Sequence, residues 1–202
     1  WGIPYLITGS PTVPDGVSLT IEKGTVLKFQ GTLMSVSGNL QADGGDRDII
    51  FTSWRDDAVG GDTNADADTT LAEAGNWKGL YLAPTAGKTK LNRCVFKYAG
   101  GDNLGYIHYG YRRTSVYVDT CVPSISNCQF MESAGHGLEL YSSSATIQSN
   151  LFKNLGDGYT ALVFDTLDCF PIISGNMAEG KGFLGISVPG GSVATTGQWQ
   201  KP

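Results

Sequence analysis

The chain is poor in charge. Only 16% of its 202 residues are Asp, Glu, Lys or Arg, and the net charge is −5. A polyanion would be repelled by that balance, so a nucleic-acid partner is not expected. Low charge together with 41% apolar residues also excludes a disordered chain. Long hydrophobic runs are missing, so no transmembrane segment is expected. Histidine occurs twice, with no metal-type His pair, no phosphate loop and no Ser-His-Asp order. Those gaps remove the usual motifs of zinc hydrolases, nucleotide enzymes and serine hydrolases. Four cysteines occur without a Cys-x-x-Cys, which leaves a zinc site unsupported. The chain starts at Trp1 without Met or an apolar leader, which implies a removed export signal or an excised segment.

What is present is repetition. Leu80-Tyr81-Leu82, Val116-Tyr117-Val118, Leu138-Glu139-Leu140, Leu162-Val163-Phe164 and Ile186-Ser187-Val188 follow one another at spacings of 36, 22, 24 and 24. Each triplet is apolar, variable, apolar, the period-2 signature of a strand with one buried face. A second pattern trails the first four: Leu91-x-x-Cys94-x-Phe96, Ile125-x-x-Cys128-x-Phe130, Ile147-x-x-Asn150-x-Phe152 and Ile173-x-x-Asn176-x-Ala178. A unit this short cannot bury its own apolar side, so the units must stack around a shared core. Short β-branched runs broken by Gly or Ser-Asn clusters argue for strands rather than helices. The expectation is an all-β solenoid of parallel strands with side-chain ladders inside, Cys94 over Cys128 and Asn150 over Asn176.

The Ile-x-x-Asn-x-Phe and Gly-Leu-x-Leu rungs resemble a right-handed parallel β-helix of the pectin-lyase-like superfamily. That resemblance covers nearly the whole chain and implies a scaffold shared by lyases, hydrolases, adhesins and inert spacers, without assigning chemistry. About seven rungs are expected in a single domain, 1–202. Leu19 matches Leu40 at a spacing of 21 and Phe29 matches Phe51 at 22, so the coil begins before residue 30. Residues 1–20 are expected as an N-terminal cap over the open end; their turns and strands are similar to the opening of many secreted β-helix proteins. Trp199-Gln200-Lys201-Pro202 echoes Trp1-Gly2-Ile3-Pro4, as one unit of a tandem array would, or by chance.

Cysteine placement leaves the redox state open. Cys94 and Cys128 share an inward position and read as stacked buried thiols. Cys121 and Cys169 lie two rungs apart, beyond ordinary disulfide reach unless the loop 166–171 folds back, so that bridge stays open as an alternative.

Two insertions interrupt the rungs, 55–76 and 100–114, each ahead of the same strand type in consecutive rungs. Both are therefore expected at one edge of one face, where binding usually resides. In the first, Asp62, Asn64, Asp66, Asp68 and Glu73 reproduce the 1, 3, 5, 7 and 12 spacing of a calcium loop, with Ala67 where an EF-hand has Gly. Six of the 19 acidic residues lie between Asp56 and Glu73 with no Lys or Arg among them. Calcium is the expected cofactor, with a solvated acidic loop as the alternative. In the second, Tyr106, His108, Tyr109, Tyr111, Arg112 and Arg113 offer ring faces and guanidinium forks suited to sugars and uronates, or else fold down over the coil. Tyr81, Tyr117 and Glu139 form the outward stripe between them, which in carbohydrate-active β-helices is the polysaccharide groove.

Enzyme readings gain little. Gly135-His136-Gly137 looks like the histidine motif of polygalacturonases, and Asp119 and Asp165 end two triplet strands, but the remaining motif pieces of that family have no counterpart. The functional expectation is a secreted or cell-surface, calcium-stabilised, non-catalytic structural or adhesive module, with polysaccharide or like β-helix units as partners. The alternatives are a carbohydrate-binding module and a polyuronate lyase or glycoside hydrolase.

Overall fold

The computed structural model describes residues 2–67, 69–102, 104, 106–108 and 110–202, Tyr106 by its backbone alone. Among these residues there is no helix, and so none long and apolar enough to cross a membrane. The strands form three parallel sheets and one small antiparallel hairpin. Sheet A orders Tyr5–Ile7, Val26–Phe29, Ile49–Ser53, Cys94–Lys97, Gln129–Met131, Leu151–Lys153 and Met177–Glu179. Sheet B orders Thr12–Val13, Leu33–Val36, Gly79–Leu82, Thr114–Asp119, His136–Tyr141, Thr160–Phe164 and Phe183–Ser187. Sheet C contains Ser18–Ile21, Asn39–Asp43, Lys90–Asn92, Ser124–Ser126, Thr146–Gln148 and Ile172–Ser174. Along the chain the strands enter A, B and C in constant rotation, the arrangement of a parallel β-solenoid.

The repeat fixes the register. Tyr117 lies beside Tyr81 on one side and Glu139 on the other, and Glu139 beside Val163. Ile125 pairs with both Leu91 and Ile147, and Ile147 with Ile173. Because side chains alternate across a strand, these alignments send one set of apolar residues inward at every level. In sheet A the inward set is aromatic: Phe51 to Phe96, Phe96 to Phe130 and Phe130 to Phe152 stack at 4.7, 5.2 and 5.1 Å. One sequence alignment is corrected. Phe51 pairs with Leu27 rather than Phe29, which faces Ser53. A slip of two residues keeps the same face inward, so Phe29 still reaches the core and stacks on Trp77 at 4.3 Å.

A single residue turns the chain from sheet C into sheet A: Arg93, Asn127, Ser149 or Gly175, all in the left-handed region with φ between 52° and 65°. The ladder behind that corner satisfies its backbone. Asn150 accepts from the Cys128 N–H at 2.8 Å and donates to Ile125 O at 3.0 Å, and Asn176 donates to Ile147 O at 2.8 Å. Cys128 does the same with its thiol, donating to Leu91 O at 3.5 Å. Hydrogen bonding to Cys128 and burial push the Cys94 thiol well above its ordinary pKa, so Cys94 stays a protonated, unreactive thiol.

All four cysteines are free and buried. The Cys121–Cys169 bridge is absent: Cys121 donates to Leu82 O and Cys169 to Leu140 O, and Ser143 occupies the level between them, donating to Cys121 O at 2.6 Å. Residues 5–21 supply the outermost strand of each sheet. Tyr5 and Leu19 at that end, and Met177 and Phe183 at the other, are exposed. Trp1, and with it half of the terminal Trp-x-x-Pro echo, lies outside the described residues.

Candidate functional site

Both insertions leave the corner between sheets A and B, ahead of Gly79–Leu82 and Thr114–Asp119. From that shared corner they part. The acidic one lies against the outer face of sheet A, where Val59 packs on Val26, Ile50 and Val95. The aromatic and basic one folds over the outer face of sheet B.

Under the acidic insertion sit two lysines of sheet A. Lys28 is fully buried and its Nζ donates to Gly61 O at 2.5 Å. Burial lowers its pKa, opposed by the carboxylates of Asp57, Asp56 and Asp62. Lys97 meets Asp56 at 3.1 Å, and Thr52 donates to the same carboxylate oxygen at 2.6 Å. The acidic run therefore has counter-charges that its own segment lacks. Lys28 was detectable in the sequence as the one charged residue of Val26-Leu27-Lys28-Phe29, on the face opposite the inward Leu27 and Phe29.

Within the loop, carboxylate oxygens of Asp57, Asp62 and Asp66 lie within 4.8 Å of one another. Asp62 accepts from the N–H groups of Ala67 at 3.0 Å and Asp66 at 3.3 Å. These bonds, the Ala67 one foremost, lower its pKa. Ala67 takes φ 50°, so the chain makes the turn for which an EF-hand uses Gly, at the steric cost of a Cβ. Asn64 donates to Asp66 Oδ2 at 2.7 Å, while Asn64 Oδ1 and Asp66 Oδ1 are shut from solvent without a hydrogen-bond partner. Of the expected ligands, the structure thus brings Asp62 and Asp66 together beside Asn64 and adds Asp57. Glu73 is not in the group found among the described residues; Asn76 Oδ1 holds its N–H at 2.8 Å at the base of the loop. Asp68 lies outside the described residues.

The second insertion is a hairpin, Tyr106–Ile107 against Gly110–Tyr111, that drops Arg112 onto the stripe of sheet B. The guanidinium makes four hydrogen bonds and one further ion-pair contact. Nε donates to Ile107 O at 3.2 Å and Nη2 to His108 O at 3.1 Å; Nη1 meets Glu139 and Asp165 at 3.0 Å each, and Nη2 reaches Asp165 again at 2.7 Å. Its carbon lies 5.6 Å from the Tyr117 ring. Burial opposes the Arg112 charge, but Glu139 and Asp165 outweigh it and raise the pKa. His108 Nε2 lies 2.8 Å from Asp119, which also accepts from Tyr81 at 2.7 Å, and the His108 ring stacks on Tyr141 at 3.7 Å. Tyr117 donates to Asp165 at 3.2 Å.

The outward stripe is consequently an interior. Tyr117, Asp119 and Glu139 are all buried, and the phenols of Tyr81 and Tyr117 are pushed up by burial first. Tyr81, Tyr117, Glu139, His108 and Arg112 are brought together, but facing one another and not an open groove. Tyr111 stays on the exposed side, and among the described residues Arg113 pairs with Asp102 at 4.0 Å. Tyr109 and the side chain of Tyr106 lie outside the described residues. Two atoms of this sheet are left over: Ser115 Oγ and Glu139 Oε2 are buried without a hydrogen-bond partner, and desolvation lifts the Glu139 carboxyl to about 7.

His136 serves the corner. Its Nδ1 accepts from the Thr160 N–H at 2.9 Å, its ring meets the edge of Tyr159 at 4.8 Å, and burial lowers its pKa. No family model, curated protein or solved structure matches the chain.

Proposed function

We propose that the chain is a right-handed β-helix of the pectin-lyase-like type that serves as a non-catalytic structural or adhesive module, secreted or surface-exposed and stabilised by calcium. One observation carries the reading. The face of sheet B that would have to admit a polymer is covered by residues of the 100–114 insertion, and its acids are paired with Arg112, His108, Tyr81 and Tyr117. Right-handedness follows from the strong bias of parallel crossovers toward that hand. Like β-helix units are the fitting partners, since the outermost strands carry exposed apolar side chains at both ends of sheets A and C and at the Phe183–Ser187 end of sheet B.

The donor set of the acidic loop fits a hard cation. Three carboxylates converge there, Asp66 among them with its Oδ1 unpartnered, and the unpartnered Asn64 Oδ1 lies in the same loop; all are oxygen ligands of the kind calcium takes. Asp57, Asp62, Asp66 and Asn64 would hold the ion, which supplies charge neutralisation and order rather than chemistry. Incubation with polygalacturonate or alginate tests the main reading: no new unsaturated or reducing ends are expected, and their appearance would refute it.

A second reading, a glycoside hydrolase or lyase behind its own cover, is favoured by Glu139. A carboxyl raised to about 7 beside the Arg112-bound carboxylate of Asp165 has the division of roles that acid–base hydrolysis needs. Arg112→Ala, which loosens the cover, should then produce polymer cleavage that the wild type lacks; cleavage by neither protein rejects this reading.

A further inference from the structure

Between the bases of the two insertions, at the turn from sheet A into sheet B, lies a cavity of about 360 Å³. Its floor is Trp77, fully buried, stacked on Phe29 at 4.3 Å and pinned by its indole N–H to Lys97 O at 2.7 Å. That floor is part of the core and does not move independently. The walls include Trp54, Arg55, Asn76 and Lys78, with Asp102 at the rim. Trp54 and Arg55 directly follow Ile49–Ser53, and Lys78 directly precedes Gly79–Leu82, so rigid strands aim these side chains.

The chemistry of this wall differs from that of the charged clusters under the two insertions. Lys28, Lys97 and Arg112 are each engaged by the chain itself. Arg55 and Lys78 have no ion-pair partner among the described residues; Arg55 instead lies with its guanidinium carbon 5.9 Å from the Trp54 ring. The lining holds two cations against one carboxylate, Asp102, which is fully exposed. Asn76 accepts at Oδ1 from Ser53 Oγ at 3.0 Å and from the Glu73 N–H at 2.8 Å, which fixes the amide with its NH₂ as the remaining donor. Of the acids nearest in sequence, Asp56 faces Lys97, Asp57 and Asp62 act on Lys28, and the exposed Glu73 is not part of the lining.

We propose that this cavity binds a sugar ring carrying an anionic group, a carboxylate or a sulfate. An indole beside a guanidinium receives the apolar face of a pyranose, as aromatic rings at carbohydrate sites do. The guanidinium fork and the ammonium take the anionic group, and Asn76 and Asp102 are placed for ring hydroxyls. A concave site with one aromatic wall and a few fixed polar groups is the usual form of a small-ligand pocket. A neutral sugar leaves both cations unmatched, and a bare anion leaves the indole unused.

The test is titration of the full chain, followed by Trp fluorescence and by calorimetry, with glucuronate, glucose 6-sulfate, glucose and inorganic sulfate as probes. At least one anionic sugar should bind at least tenfold more tightly than both glucose and inorganic sulfate, and which one does so identifies the anionic group. Trp54→Ala should abolish binding, and Lys78→Gln should weaken it about tenfold without altering the melting temperature. Equal binding of glucose, equal binding of inorganic sulfate, no binding of either anionic sugar, or full affinity in Lys78→Gln would overturn the proposal. The result is independent of the structural reading, which stands or falls on polymer cleavage.

Discussion

The two insertions begin at the same corner and end in opposite circumstances. The acidic one settles on the lysines of sheet A; the basic one settles on the acids of sheet B. Each loop meets the charge it lacks. The fit differs in where it is incomplete: Arg112 makes four hydrogen bonds and a second contact with Asp165, with Glu139 Oε2 left over in the scaffold, while in the acidic loop Asn64 Oδ1 and Asp66 Oδ1, atoms of the loop itself, remain without partners. A loop whose polar groups are satisfied by the scaffold is architecture. A loop that leaves converging oxygens unmatched has room for something the chain does not supply.

The largest expected effect comes from breaking the satisfied side. Arg112→Ala leaves Glu139 and Asp165 facing each other under a loop that has lost its anchor. Removing one partner of a buried charged pair costs about 3–5 kcal/mol, and the upper part of that range applies only if Glu139 stays ionised. Chemical denaturation at pH 8 measures it. A loss under about 1 kcal/mol would mean that the cover is held by packing and not by charge.

Next comes pH. The folded protein keeps the Glu139 proton to about 7, whereas an unfolded chain releases it near about 4.3. Between those values the folded state binds more protons, so stability contributed by neutral Glu139 is fully present at the acid end and is lost as pH rises through the window. The predicted decline is about 3–4 kcal/mol, levelling off above about pH 7. Glu139→Gln should flatten this slope; an unchanged slope would remove Glu139 as its source.

On the acidic side, Lys28→Met separates the roles of lysine and cation. With the ammonium gone, melting temperature in chelator should fall, by the equivalent of about 1–2 kcal/mol, while calcium should bind more tightly than to wild type. Calorimetric titration reads the second effect. Unchanged affinity would show that Lys28 and the Asp57, Asp62 and Asp66 group do not compete. The smallest effect is predicted for Arg113→Ala, whose ion pair among the described residues is 4.0 Å away with a fully exposed Asp102; thermal melting should be indistinguishable from wild type.

The coil was legible in the sequence because it is periodic. A rung that repeats at 22 to 24 residues aligns like with like, and the triplets at Leu80, Val116, Leu138 and Leu162 took the expected register. The Phe29 alignment failed at a longer, irregular turn, where a shift of two residues leaves the inward face unchanged and so leaves no trace in the apolar pattern. The acidic loop was half legible. Spacing pointed to Asp62 and Asp66, but Asp57 joins them across the turn through Gly60 and Gly61 at positive φ, which the ligand spacing does not contain. The stripe Tyr81, Tyr117 and Glu139 was read correctly as outward, yet which loop covers it depends on contacts between residues 27 to 53 apart, Arg112 with Glu139 and Asp165.

By itself, then, the sequence determined the strands, their faces and the ladder inside the coil, because alternation and repeat length are local properties that stacking copies from rung to rung. Only the tertiary structure decided where the insertions lie and which charges they meet. An irregular loop has no period to align it, and its resting place is set by the particular side chains that neighbouring rungs hold out beneath it.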